Sequence, residues 1–304
     1  MKKKNLWGNL LGITYGFLLV AFTVYVVLDT FVIERVYTVT PSVNPGQVSA
    51  SDGDNAQSQG DPTVYDWAQN AVITANSYED ENISILITDY TEYESRIHVA
   101  DVKLSSPEYL KTAFAKGAYG QNIKAKTSET AQEINAIFAV NGDYYGARQA
   151  CYVIRNGVLY RSASTEKEDL VIYKDGSFST VYERGTTAEQ LLADGAEHVL
   201  SFGPTLVRDG EIAVPNAASA PNPRTAIGLV DELHYVFVVT DGRVDGSAGL
   251  SYYELAEFMQ SLGVKEAYNL DGGGSSAMYF NGRVINTFHQ GNEREVSDIV
   301  YIGY

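Results

Sequence analysis

Three features of this 304-residue sequence predict an α+β fold: largely antiparallel mixed sheets with a few flanking helices, preceded by one transmembrane helix. Asn-Gly or Asp-Gly pairs recur between short β-type runs, capping signals open only a few helical stretches, and a long uncharged run follows an amino-terminal lysine cluster. Tight hairpins make neighbouring strands antiparallel. Hydrophobic content of 45% and charged content of 20% are ordinary for a globular protein. Aromatic residues make up 12%, mostly the 22 tyrosines, which suits a β-rich body and is common where sugars are bound.

Lys2-Lys3-Lys4 precede Asn5–Leu28, a run of 24 positions without a charged residue. About 20 apolar residues cross a bilayer, and a basic flank stays in the cytoplasm. Residues 1–33 therefore read as a cytoplasmic lysine cluster and single-pass anchor that puts the rest of the chain outside the cell. A cleaved signal peptide is the rival reading, but the apolar run is long for one and no A-x-A-type site follows it. Residues 34–62 read as a flexible linker, since the stretch from about Thr40 to Pro62 is rich in Ser, Gly, Asp, Asn, Gln and Pro. Residues 63–304 then read as one domain, with no internal repeat and no second linker.

The formal charge is −16. Setting aside Lys2, Lys3, Lys4, Asp29 and Glu34 leaves 19 of the 22 basic and 36 of the 38 acidic side chains, so the external part carries −17. Such a charge disfavours nucleic acid and anionic surfaces as partners, and any anionic ligand needs a local basic pocket. Cys151 is the single cysteine, which excludes an intrachain disulfide and a thiolate metal cluster. His98, His198, His234 and His289 are scattered without H-E-x-x-H spacing, which argues against a zinc hydrolase.

Asn156-Gly157, Asp175-Gly176, Asp209-Gly210 and Asn281-Gly282 predict four hairpins: Tyr152–Arg155 with Val158–Arg161, Leu170–Lys174 with Ser177–Val181, Thr205–Arg208 with Glu211–Val214, and Ser276–Phe280 with Arg283–Thr287. Ser106-Pro107 predicts a helix start, with Gly117 to stop it. Capping boxes at Thr187–Gln190 and Ser251–Glu254 predict two more helices, closed by Gly195 and Gly263. The second puts Leu255, Phe258, Met259 and Leu262 on one core-facing stripe.

Three apolar strands each run into a loop that carries an acid beside glycine. Asn135–Val140 leads into N-G-D-Y-Y-G at 141–146, His234–Val239 into T-D-G-R at 240–243, and Glu266–Leu270 into D-G-G-G-S-S at 271–276. Strand ends on a rigid scaffold supply functional loops, and three such junctions point to one shared site.

These segments, together with F-G-P-T-L (202–206), P-R-T-A-I-G (223–228), N-L-D-G-G-G-S-S-A-M (269–278) and E-R-E-V-S-D (293–298), resemble the phosphodiester glycosidase family. Its bacterial members include exopolysaccharide-biosynthesis-type proteins. The likeness runs from about Ser84 to Tyr304 and leaves the anchor and linker outside. It implies a hydrolase that cleaves the bond between a sugar's anomeric carbon and a phosphodiester oxygen, the family's known case being N-acetylglucosamine-1-phosphodiester. The matching positions are Asn141, Asp143, Arg224, Asp241, Arg243, Asp271, Gly272, Gly273, Gly274, Ser275, Ser276 and Arg294. Tyr144-Tyr145 stand where Phe is common, and Ala277 where Thr is frequent.

The residue types fit that chemistry. A phosphomonoester leaves easily, its second pKa being about 6, so the demand shifts from a strong general acid to groups that stabilise phosphate charge. Arg224 and Arg243 suit phosphate oxygens, and the N–H groups of Gly272–Gly274 with the Ser275 and Ser276 hydroxyls could form an anion nest. Asp143 and Asp271 are the expected catalytic pair, activating water or attacking the anomeric carbon, with their order left open. Asn141, Asp241 and Arg294 complete the expected binding set.

No cofactor is required by the sequence. Asp143, Asp241 and Asp271 with backbone carbonyls could nevertheless hold calcium or magnesium. The expected partners are a phosphorylated glycan or sugar-phosphodiester substrate, and the membrane through the amino-terminal helix.

Structural roles are open to the same residues. Asp241 can be a turn residue, Arg224 can pair with a surface acid, Asn141 can bond its own loop, and Arg294 can pair with Glu293 or Glu295. His289 has no partner in the sequence and no expected chemical role. Ser275 and Ser276 lack the G-x-S-x-G frame of a serine hydrolase, and the glycine loop lacks the Lys of a P-loop. Two other functions stay open beside the glycosidase: a phosphodiesterase that cleaves the P–O bond, and a non-catalytic glycan-binding or polymer-assembly module.

Overall fold

Four short turns set the topology. The computed structural model describes residues 3–38, 71–217 and 219–304. At Asn156, Asp209 and Asn281 the backbone adopts φ of 50°, 51° and 43°, and the glycine after each is also positive, which closes a two-residue turn. All four predicted hairpins form: Val153–Arg155 with Val158–Arg161, Glu168–Tyr173 with Phe178–Tyr182, Thr205–Arg208 with Glu211–Ile212, and Met278–Phe280 with Arg283–Val284.

The hairpins are distributed over three antiparallel sheets. A nine-stranded sheet runs from Glu211–Ile212 through Thr205–Arg208, Glu266–Asn269, Thr225–Asp231, His234–Thr240, Ser95–Leu104, Ile83–Glu92 and Ser77–Glu79 to Val72–Ile73. One five-stranded sheet carries Phe138–Asn141 at its centre, between Met278–Phe280 and Asp298–Ile302. The other is built on Ala196–Leu200 between Val153–Arg155 and Glu168–Tyr173.

The main core lies among these sheets. Ile83, Ile85, Phe237 and Tyr268 of the first pack with Phe138, Val140, Phe280 and Val300 of the second and Leu170, Ile172 and Phe178 of the third. Helix Tyr252–Ser261 covers another apolar face of the nine-stranded sheet, placing Leu255, Phe258 and Met259 against Val99, Val236, Val238 and Ala267. Its capping box is closed on both sides, with Glu254 N–H on Ser251 Oγ at 3.2 Å and Ser251 N–H on Glu254 Oε2 at 2.8 Å. Helix Ala188–Ala193 has half of its box: Thr187 Oγ1 accepts from Gln190 N–H, while the Gln190 side chain turns to Asp194.

One expectation needs correction, and two further elements stand beside it. Ser106-Pro107 opens only a 3₁₀ turn, Pro107–Tyr109, and the chain then becomes strand Leu110–Phe114, where Leu110 and Thr112 point inward and pairing with Asp298–Ile302 outweighs the helix signal. Helix Thr127–Glu133 was not expected, because it lacks a capping Ser, Thr, Asp or Asn; Glu129 bonds back to Lys126 N–H instead. Of the linker expected over 34–62, residues 39–62 lie outside the described residues, but Arg35–Val36 is paired antiparallel with Gly120–Gln121. Ahead of it, helix Lys3–Phe31 contains Leu10–Phe31, which is long and apolar enough to cross a membrane and has none of that stretch buried.

Candidate active site

The site forms where strand Phe138–Asn141 of one sheet and strand Glu266–Asn269 of another end side by side. Asn141 joins them. Its Nδ2 donates to the Asp271 carbonyl at 2.7 Å, while its Oδ1 accepts from Thr225 Oγ1 at 2.8 Å and from Ala277 N–H at 3.1 Å. Asp271 N–H donates to the Gly142 carbonyl at 3.2 Å, which closes the junction from the other side. Asn141 is fully buried, and its side chain bonds both loops.

The three acids that look alike in sequence separate in space. Asp143 has no exposed surface: Oδ1 accepts from Tyr145 N–H, and Oδ2 accepts from Ser201 N–H at 2.7 Å and pairs with Arg155 at 2.9 Å. Arg155 also grips Asp298 at 2.8 Å, and the charges of the two acids raise its pKa against the effect of burial. Gly142 must be glycine, because a Cβ there would overlap the Asp298 carboxylate. Asp143, expected as a catalytic acid, thus has both carboxylate oxygens engaged by protein groups beneath the loop.

Asp241 is equally committed. Its Oδ2 pairs with Arg96 at 2.7 Å, and its Oδ1 accepts from Thr287 N–H at 2.7 Å and lies 3.3 Å from His98 Nε2. Burial pushes its pKa up, but His98, Thr287 N–H and Arg96 outweigh that and hold it at about 2. Through Thr287 it is tied to one wall of the cleft described below.

Asp271 alone of the three retains some exposure, 9%. Burial raises its pKa, and the Ser275 hydroxyl, Arg294, Gly272 N–H and Arg148 act against that rise. Beside it opens a cleft of about 390 Å³, lined by Pro223, Arg243, Gly273, Gly274, Ser276 and the segment from Thr287 to Arg294. Arg243 and Arg294 approach the glycines, their NH1 atoms 3.9 Å and 3.7 Å from where Cβ atoms of Gly273 and Gly274 would stand. His289, given no role from sequence, also lines this cleft and contacts the Arg243 carbonyl through Nδ1.

Two of the three glycine N–H groups expected in an anion nest are used within the site itself. Gly272 N–H donates to Asp271 Oδ1, Gly273 N–H to the Pro223 carbonyl, and Ser275 and Ser276 N–H to the carbonyls of Gly272 and Gly273. Ser276 Oγ, by contrast, is buried at the cleft wall without a protein partner among the described residues. Such a group is costly to bury unless a ligand or water satisfies it.

Arg224 is turned away from the cleft. Its Nε and NH2 bond the carbonyls of Leu250 and Ala220, and its guanidinium lies 3.8 Å over the Tyr252 ring. Arg294 is not neutralised by its flanking acids, since Glu293 accepts from both Ser128 N–H and Ser128 Oγ. Arg148, not anticipated, contacts the Ser201 carbonyl, lies 5.0 Å over the Phe202 ring and acts electrostatically on Asp271. Among the described residues six arginines pair with no carboxylate, in a chain with formal charge −16: Arg148, Arg224, Arg243 and Arg294, together with Arg161 and Arg283, which bond backbone carbonyls.

The three acids expected as possible calcium or magnesium ligands have different surroundings. Asp143 and Asp241 already hold cationic side chains, and the described residues contain no group of three His, Cys, Asp or Glu placed to bind a metal.

Residues 134–303, more than half of the chain, match the phosphodiester glycosidase family. The chain belongs to this family. It is 32% identical over 190 residues to the SPbeta prophage-derived uncharacterized protein YomE of Bacillus subtilis, covering 59% of this chain and 29% of that one. It is 26% identical over 194 residues to N-acetylglucosamine-1-phosphodiester alpha-N-acetylglucosaminidase of Mus musculus, covering 56% of this chain and 37% of the mouse protein. The chain thus spans about a third of the length of these curated relatives.

The solved catalytic domain of the zebrafish N-acetylglucosamine-1-phosphodiester alpha-N-acetylglucosaminidase, auto-inhibited by its pro-peptide, shares the fold. Its TM-score is 0.60 at 19% identity, over 77% of this chain and 88% of that one. A hypothetical protein from Synechocystis shares it at a TM-score of 0.58 and 15% identity, over 73% of this chain and 62% of that one.

Proposed function

We propose that this phosphodiester glycosidase hydrolyses sugar-1-phosphodiesters at the glycosyl C–O bond, releasing the sugar and a phosphomonoester, on the outer side of a membrane. The observation that carries the reading is Asp271, the one of the three acids with exposed surface, whose ionised form Arg294 and Arg148 favour, beside a cleft lined by Arg243 and Arg294. In ionised form Asp271 takes the proton of the water that attacks the anomeric carbon, or forms the bond itself. The C–O bond breaks, and its electron pair leaves with phosphate. Arg294 and Arg243 stabilise that charge as it develops, in a partly buried setting where the interaction is stronger than in water. Ser276 Oγ is available to donate to substrate. Asp143, Asn141 and Asp241 position the loops.

The outer location rests on helix Lys3–Phe31. A fully exposed apolar helix of this length is not stable in water, a bilayer would bury it, and the lysine flank favours the cytoplasmic side.

The name of the mouse relative makes an α-N-acetylglucosaminyl phosphodiester the first substrate to assay, with glycan-bound diesters next. Hydrolysis in oxygen-18 water by the full chain should label the sugar. Label in the phosphate would instead mean P–O cleavage, and binding without turnover that survives Asp271→Asn would mean a non-catalytic module.

A further inference from the structure

The body of the protein grips the end of its own amino-terminal helix. Asn122, in the left-handed region at φ 61° and nearly buried, donates its side-chain amide to the carbonyls of Thr30 and Ile33, both at 3.1 Å. Carbonyls at and just beyond the last helical turn have no partner within the helix, so a distant side chain is capping this one. The next residues continue the contact. Lys116 pairs with Glu34 at 2.6 Å, Arg35 and Val36 stand opposite Gln121 and Gly120 in antiparallel register, and Tyr37 N–H donates to the Tyr119 carbonyl at 2.9 Å.

Gly120 makes the approach possible, since a Cβ there would overlap the Arg35 carbonyl oxygen. The contact also reaches the site. The Tyr119 ring stacks on Tyr145 of the 141–146 loop with centroids 5.3 Å apart, and Arg35 and Tyr37 line a recess of about 340 Å³ together with Arg148.

We infer that the body is docked on its anchor, not suspended from a tether, and that this holds the Asp271 cleft near the membrane surface to act on a sugar phosphodiester carried by a membrane-embedded lipid. The docking rests on the contacts above, and the substrate class rests also on the proposed anchor and hydrolase activity. Three residues separate Phe31 from Arg35, four steps along the chain with a reach of at most about 14 Å. Arg35 shares a recess with Arg148, whose charge acts on Asp271. A site kept at that height meets a phosphate at headgroup level directly. A glycan free in solution would gain nothing from the docking.

The experiment uses the full chain in phospholipid vesicles. Directly opposite Cα atoms of an antiparallel pair lie within disulfide range, and the only native cysteine, Cys151, is buried. The double variant Arg35→Cys, Gln121→Cys should therefore form an internal disulfide on mild oxidation, read by mass spectrometry; failure to form it overturns the docking.

Replacing Glu34–Tyr37 by Gly-Ser-Gly-Ser should lower the initial rate on a vesicle-embedded polyprenyl sugar-1-phosphodiester at least tenfold. The rate on the corresponding methyl diester in solution should stay within twofold. An unchanged lipid-borne rate overturns the substrate assignment. If the replacement lowers both rates by damaging the fold, Asn122→Gly, which removes the helix cap and keeps the positive φ accessible, must still lower the lipid-borne rate selectively, or the assignment fails. If the unaltered chain turns over neither diester, it is the hydrolase reading that falls, and the cross-link alone decides the docking.

Discussion

Replacing Arg155 by methionine removes the single cation shared by two buried carboxylates. In the native structure its guanidinium lies 2.8 Å from Asp298 and 2.9 Å from Asp143, and all three side chains are at most 1% exposed. Removing one partner of a buried ion pair costs about 3–5 kcal/mol, because the remaining charge is stranded. At about 2–4 °C per kcal/mol for a body of this size, Tm should fall by roughly 6–20 °C.

The loss should also depend on pH. Burial already pushes the Asp298 carboxyl up against the pull of Arg155, and without Arg155 it would bind a proton in the folded chain at pH values where the unfolded chain, near about 3.9, does not. An excess of protons bound in the folded state makes stability rise as pH falls. The gap between wild type and variant should therefore narrow from pH 8 to pH 5. Thermal unfolding followed by circular dichroism in detergent tests both parts. A Tm loss below about 3 °C, or a gap that does not change with pH, would refute the stranded-charge reasoning.

Asp271→Asn should lower kcat by about 10²–10⁴-fold, the usual range for a lost acid–base group, with little change in Tm. Asp143→Asn should show its main effect in Tm, and the two melts and turnover assays side by side decide the assignment. Arg294→Ala should raise KM for the diester about 10- to 100-fold, the worth of one charged hydrogen bond of about 1.5–3 kcal/mol. It should also move the acid limb of the kcat/KM profile to higher pH, because Asp271 then holds its proton more tightly; a limb that stays in place counts against the contact.

Asp169 is buried beside Glu183, and burial together with that charge pushes its pKa up to about 9. Its folded value lies above the unfolded one, so it makes stability decline as pH rises through the window between about 4 and 9. Asp169→Asn should flatten that decline in urea titrations at pH 5, 7 and 9.

The hairpins were legible because their signal is local: Asn-Gly and Asp-Gly encode the positive φ that the turn needs, wherever the chain goes next. Helix Tyr252–Ser261 was legible for the same reason, with its capping box and apolar stripe both within a dozen residues. The strand after Ser106-Pro107 was not, since a non-local pairing with Asp298–Ile302 decided it.

The site divides along the same line. That Asp143, Asp241 and Asp271 end strands could be read directly. Which of them stays open depends on Arg155, Arg96 and His98, and the last two lie more than 140 positions from Asp241. Arg148 stood two residues beyond the N-G-D-Y-Y-G segment, and Asp298 closed the last motif, but nothing local marked either as a partner of the loops.

Arg243 and Arg294 at the cleft, without a carboxylate partner among the described residues, stand out against the −16 charge of the chain, and this should reverse the usual response of an anion-binding enzyme to salt. At a distance, an anionic diester is repelled by the protein as a whole; only within the cleft do the guanidiniums dominate. Mobile ions screen charges beyond about 8 Å at physiological ionic strength and leave closer, partly buried contacts largely intact. Moderate salt should therefore ease the approach of substrate more than it weakens its capture, and the rate of encounter should hold or rise where that of a cationic protein would fall.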